Sequence, residues 1–163
     1  MTIYTIGHSN LAFEEFARLL QANGIKLVVD VRSVPYSRHS PQFNREGLQE
    51  ALARLGIGYR YLGDSLGGRP DDPACYNGDK PDYDRIARQG AYRSGIEELI
   101  QVAEELPTAI MCSEEDPSHC HRHLLITRTL LNEREDIEVI HIRRDGSLER
   151  AKRTGQLPLP LGR

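Results

Sequence analysis

The amino-acid sequence holds no apolar run near the roughly 18 residues that a membrane span needs, so a membrane-spanning protein is set aside. Its first ten residues, MTIYTIGHSN, lack a basic stretch followed by an apolar core, and no secretory leader is expected there. Cysteine is scarce: three residues, an odd number at irregular spacing, do not make a disulfide framework. A reduced, cytoplasmic protein is the expectation. Positive charge is not in excess either. The net charge of −3 argues against strong general affinity for nucleic acid but leaves room for a local basic pocket. No internal repeat and no linker divides the chain. One α/β domain over residues 1–150, with an extended tail over 151–163, is the expected organisation.

What is present is an ordinary globular composition, 39% hydrophobic and 28% charged. The patterning alternates. TIYTI (2–6) reads as a strand, and Phe13, Phe16, Leu19 and Leu20 follow at helical spacing with Gly24 at the stop. IKLVVDV (25–31) is the near-continuous apolar run of a strand buried on both faces. A helix over about 45–55 carries Leu48, Leu52 and Leu55 on one side, and IGYRYL (57–62) reads as a third strand. Residues 70–90, rich in Pro, Gly and Asp, form a long excursion. Helices over 92–106 and from the Asp116-Pro117 cap to about Leu131 alternate with strands 108–113 and 137–142. The order β-α-β-α-β-α-β-α-β implies a mostly parallel, Rossmann-like or flavodoxin-like sheet of about five strands flanked by helices.

A parallel sheet gathers the carboxyl ends of its strands at one edge, where ligands bind. The residues leaving the strands here are distinctive: His8 and Ser9, Asp30 and Arg32, Gly67 and Gly68, Cys112 and Glu114. Asp30 and Arg32 also suit simple pairing with each other.

Four motifs occur in order, TIGHSN, VVDVRSVPYSR, YRYLGDSLGG and CSEEDPSHCHR. Together they closely resemble the domain-of-unknown-function-488 family over nearly the whole chain. The resemblance implies an α/β fold and marks residues without naming a reaction. Those residues are Gly7, His8 and Ser9; Asp30, Arg32, Pro35, Ser37 and Arg38; Gly67 and Gly68; Cys112, Glu114, Cys120, His121 and Arg122. The DVR after the second strand is also similar to a feature of rhodanese-type sulfurtransferases, although the loop from Cys112 to Arg122 is longer and more acidic than theirs.

CSEEDPSHCHR admits three chemistries. Zinc through Cys112, Glu114, Cys120 and His121 is one, but the cysteines are too far apart in sequence for the usual structural pairing, and no cofactor is expected. A thiol nucleophile at Cys112, facing the next helix N-terminus, is the second. The third makes Cys120 a small apolar residue against the sheet, with His121 and Arg122 reaching toward substrate. Glu114 and His8 are then the proton-transfer pair.

Arg32, Arg38, Arg69 and Arg122 share the same edge and suit phosphate or carboxylate. Gly67 and Gly68 allow close backbone approach, a helix starting at 116–119 adds a favourable dipole, and Tyr36, His39 and Phe43 offer stacking surfaces. The expected function is a small enzyme acting on an anionic, nucleic-acid- or nucleotide-related substrate. His8, Asp30, Glu114 and Cys112 are its catalytic candidates. Ser9, Arg32, Ser37, Arg38, Gly67, Gly68, His121 and Arg122 are the candidates for binding. A thiol-dependent, rhodanese-like sulfurtransferase and a non-catalytic nucleic-acid-associated module are the alternatives. The tail QLPLPL, Gln156 to Leu161, is similar to the short peptide that docks bacterial replication and repair proteins on the sliding clamp. Its leucines equally suit packing on the domain's own surface.

Overall fold

Strand β6 (Thr108–Cys112) sits between β2 (Leu27–Asp30) and β1 (Thr2–Gly7), and this central trio organises the computed structural model, which describes residues 1–153. The full sheet runs β3 (Gly58–Tyr61), β2, β6, β1, β7 (Glu138–Ile142), β8 (Leu148–Arg150). The first five strands in this row are parallel, and β8 is antiparallel to β7. The sheet is therefore the mostly parallel, helix-flanked one that the alternating pattern implies.

All four residues of β2 and all five of β6 are buried, as their apolar runs require. Alternate side chains feed two cores. Val28, Ala109 and Met111 point to the face packed by α1 (Phe13–Ala22) and α2 (Arg45–Ala53), through Phe16, Leu20, Leu48 and Leu52. Val29, Ile110 and Cys112 point to the other face, packed by α5 (Gly90–Glu105) and α6 (Arg128–Glu133), through Ile96, Leu99 and Leu130. The helix after β2 and the helix after β6 thus cover opposite faces. Adjacent strands with that divergence leave a crevice between their carboxyl ends, the switch point where open α/β sheets bind ligands.

Three features depart from the sequence reading. The excursion over 70–90 is ordered: a 3-10 turn (Pro73–Cys75), a two-stranded hairpin of β4 (Tyr76–Asn77) with β5 (Lys80–Pro81), and α4 (Tyr83–Ala87), preceded by the short helix α3 (Gly63–Leu66). Strand β8 carries no apolar pattern, since all three of its residues are exposed, and it was not expected. The helix expected from Asp116-Pro117 to Leu131 is broken. Asp116 does cap Ser118 N (2.9 Å), but only a 3-10 turn follows (Pro117–His119). Cys120 is extended, and a π-helical turn (Arg122–Thr127) leads into α6. No helix N-terminus therefore lies at 116–119. Among the described residues no helix is long and apolar enough to cross a membrane.

Candidate functional site

The crevice between the β2 and β6 loops holds a cavity of about 380 Å³. Arg32, Ser33 and Val34 line it from the β2 side, Cys112, Ser113 and Glu114 from the β6 side. Gly68 and Arg69, after α3, and Pro81 and Tyr83 of the excursion also line it, as do His119, Cys120 and His121. Five of the candidate residues therefore meet at one cavity: Arg32, Gly68, Cys112, Glu114 and His121.

Arg32 is held from all sides. Its Nε and Nη2 donate to the two oxygens of Asp30 (2.9 and 2.8 Å), and Nη2 also donates to Phe43 O (2.9 Å). Asp30, fully buried, additionally accepts from Arg32 N (3.1 Å) and the Tyr59 hydroxyl (2.5 Å). Burial, and then the bond to Asp30, push the Tyr59 hydroxyl pKa up, so it remains a donor. The simple pairing of Asp30 with Arg32 is thus what the structure contains.

His8 completes this group. Its Nδ1 donates to Ser9 O (2.8 Å), so its neutral ring presents Nε2 as acceptor to Arg32 Nη1 (3.3 Å). The ring stacks on Phe43 at 4.6 Å, and burial lowers its pKa to about 4. Ser9 is the one non-glycine residue with positive φ (46°) among the described residues. Its carbonyl accepts from both His8 and Ser40 Oγ (3.0 Å), which fixes that conformation.

Several other candidates serve the loops. Ser37 Oγ accepts from His39 N and Ser40 N (3.1 and 3.2 Å), and Ser37 N donates to Asn44. Arg38 is exposed, and neither it nor Ser37 lines the cavity. A Cβ on Gly67 would lie 2.3 Å from Ser33 Oγ, and one on Gly68 2.9 Å from the His121 ring. These glycines let the β3 connection close on its neighbours. Phe43 is core, and its ring is not available for stacking on a ligand.

Arg122 does not reach the cavity. It is fully buried, with Nε donating to Thr5 Oγ1 (3.1 Å), Nη1 to Glu114 O (2.7 Å) and Cys112 Sγ (3.2 Å), and Nη2 to Glu115 O (2.9 Å). It ties the loop 112–115 to β1. Behind it, His141 bridges Thr5 Oγ1 (2.6 Å) and His123 Nδ1 (3.1 Å), and burial lowers the His141 pKa to about 3.

The two cysteines differ. Burial pushes the Cys112 thiol up. Cys120, in the cavity floor, has a pKa lowered to about 4, first by a hydrogen bond from Cys112 and then by His121. His121 Nε2 donates to Val31 O (2.9 Å), which turns Nδ1 toward Cys120 Sγ (3.7 Å). Of the alternatives read from the sequence, one made Cys112 the thiol nucleophile and another made Cys120 a small apolar residue; both cysteines are buried, and it is Cys120 whose sulfur lies beside the His121 ring. No three His, Cys, Asp or Glu side chains among the described residues are grouped as metal ligands, so Cys112, Glu114, Cys120 and His121 do not form a ligand set.

These features define an α/β protein with an arginine- and thiol-bearing cavity at its topological switch point. The family model named "Domain of unknown function DUF488" matches residues 12–129, and the chain belongs to that family. No curated protein and no solved structure matches the chain. The clamp-like peptide Gln156 to Leu161 lies outside the described residues.

Proposed function

We propose that the protein is a small enzyme acting on an anionic, nucleotide- or nucleic-acid-related substrate at the carboxyl edge of the sheet. One observation carries this reading. The cavity between β2 and β6 is lined by the guanidinium residues Arg32 and Arg69 together with the exposed carboxylate residue Glu114. Arg32 is held by Asp30, His8 and Phe43 O as a fixed part of the cavity wall with its charge met by Asp30, so Arg69 is the cation that an anion would meet. Arg69 forms no ion pair with any described residue, and only its backbone is engaged, with Ser33 Oγ at 2.9 Å. Asp30 and His8 act as positioning residues for Arg32. Glu114 is the proton-transfer candidate at the cavity.

The loop after β2 supports the nucleic-acid side of the reading. Val34 (68% exposed) and Tyr36 (50% exposed) stand in solvent beside exposed Arg38 and His39. Aromatic and basic side chains interleaved in this way suit a phosphate backbone with unpaired bases. The test is binding of nucleoside monophosphates and of a short single-stranded oligonucleotide, measured by calorimetry at low and at physiological salt. Binding should weaken with salt and fall roughly tenfold in Arg69→Ala, about one lost charge-assisted contact. Binding that ignores both salt and the Arg38→Ala, Arg69→Ala double substitution overturns the reading. Full cellular function in Glu114→Gln with binding intact would leave the non-catalytic module instead.

A further inference from the structure

A tyrosine packed against a core keeps its hydroxyl satisfied by an acceptor. Five of the seven tyrosines here do so: Tyr36 donates to Glu46, Tyr59 to Asp30, Tyr61 to Arg32 O, Tyr76 to Pro70 O, and Tyr92 meets Thr129 Oγ1. Tyr4 and Tyr83 have no hydrogen-bond partner among the described residues. Tyr4 packs on the core covered by α1 and α2 and does not line the cavity, whereas Tyr83 lines it. The Tyr83 side chain is half-buried, yet its oxygen is open to solvent, since no buried side-chain nitrogen or oxygen among the described residues lacks a partner.

The excursion fixes where this phenol stands. Asp82 Oδ1 accepts from Asp84 N (3.0 Å) and Arg85 N (3.2 Å), which caps α4 and makes Tyr83 its first residue. Ile86, three residues on and on the same side of the helix, is buried in the core, and the Tyr83 ring packs against that core. Asp84 turns the other way, to Arg128 Nη2 (2.9 Å). Burial pushes the Tyr83 pKa up while nearby Arg69 acts against it, so the hydroxyl keeps its proton at neutral pH. Arg69 lines the same cavity with its guanidinium unpaired, its backbone alone being held by Ser33. Glu114, the carboxylate on the cavity wall, pairs with neither. Two donors with no acceptor in the described protein thus share one cavity of about 380 Å³.

We propose that Tyr83 and Arg69 form one phosphate seat, in which the phenol hydroxyl donates to an oxygen of the phosphate that the guanidinium pairs with, and that Tyr83 thereby selects phosphorylated substrates over their uncharged counterparts. This deepens the anion-binding reading and rests on it. The two donors come from different segments, the residues after α3 and the first turn of α4, and so approach a ligand from separate walls. Phosphate suits that arrangement, because its several terminal oxygens point in different directions, whereas a carboxylate offers two in one plane. The phosphate is that of a free nucleotide or of a single strand, and the chemistry at Tyr83 is the same for both.

Tyr83→Phe removes the hydroxyl and keeps the ring, so the fold is retained and the urea midpoint should not move. Calorimetry on the full-length protein compares the four nucleoside monophosphates with the four nucleosides, and a short single-stranded oligonucleotide with both. Tyr83→Phe should weaken the monophosphates roughly tenfold, one hydrogen bond to a charged group, and leave nucleoside binding unchanged. Because both groups hold one phosphate, the Arg69→Ala, Tyr83→Phe double substitution should lose less than the product of the two single losses. A matching loss on the oligonucleotide supports the seat with a strand as the source, and a loss confined to the monophosphates supports it with a free nucleotide. Monophosphate binding that falls in Arg69→Ala but is untouched in Tyr83→Phe overturns this proposal and leaves the anion-binding reading standing. An equal loss on nucleosides overturns it as well, since the phenol would then read the base or sugar. Absence of monophosphate and oligonucleotide binding to the wild type overturns both.

Discussion

The loop that leaves β2 and the loop that leaves β6 each bury an arginine, and the two are satisfied by opposite means. Arg32 meets a carboxylate through two of its nitrogens, with a neutral imidazole and one carbonyl filling most of the rest. Arg122 meets no carboxylate and leans on carbonyls, a hydroxyl and sulfur. The first arrangement neutralises its charge locally and leaves the arginine as a fixed piece of cavity wall. The second makes the arginine a tie between β1 and the loop that leaves β6. Sequence alone presented both as ligand arginines on one edge.

Asp30→Asn would break the first half of this contrast most sharply. It leaves Arg32 buried without its carboxylate, and stability should fall by about 3–5 kcal/mol, read from urea unfolding. Arg122→Lys keeps the charge but loses the fork that reaches four acceptors. A loss of about 2–3 kcal/mol is expected from the carbonyls of Glu114 and Glu115 left unmet, and an unchanged unfolding midpoint would show that Arg122 is no tie.

Acidification should strain both loops, because His8 and His141 back the two arginines and are held neutral. Unfolded, each titrates near 6.5, whereas folded they titrate at about 4 and about 3. Between those values the unfolded chain binds protons that the native protein refuses. The stability present above about pH 6.5 is therefore lost as pH falls, by on the order of 2 kcal/mol for each histidine at about pH 5. Urea midpoints followed downward from neutrality check this, and the part owed to His8 should be missing in His8→Gln. The smallest effect belongs to Glu114→Gln. An exposed side chain in the cavity wall should change stability by no more than about 0.5 kcal/mol while removing turnover, which separates proton transfer from support.

The parallel sheet was legible because β2 and β6 are apolar throughout, and such runs have few other uses. The edge was legible for the same reason, since strand order places His8, Asp30, Arg32, Cys112 and Glu114 together. Strand β8 was not, because an exposed Leu-Glu-Arg paired to a sheet margin has no pattern to read. The break at Cys120 was hidden behind a sound local signal. Asp116 and Pro117 do start a turn, but burying the Arg122 guanidinium and aiming His121 at Val31 decide where the helix begins. Side-chain direction was also beyond reach: nothing in the sequence says that Arg122 turns inward while Arg69 stays out, or that Cys120 rather than Cys112 faces His121.

The π-helical turn Arg122–Thr127, clasped by Thr127 Oγ1 on Arg122 O at 2.5 Å, opens the helix that α6 continues. A π turn holds an extra residue relative to an α-helical turn, so Arg122 at its start is rotated by about 100° against α6 compared with an α-helical start. Leu124, 39% exposed, is the natural extra residue, since its neighbours Leu125 and Ile126 are fully buried. Its deletion would let an unbroken α-helix form and keep Leu130 and Leu131 on the sheet, while swinging Arg122 away from Thr5. The reading frame of the cavity floor is thus set by one surplus leucine.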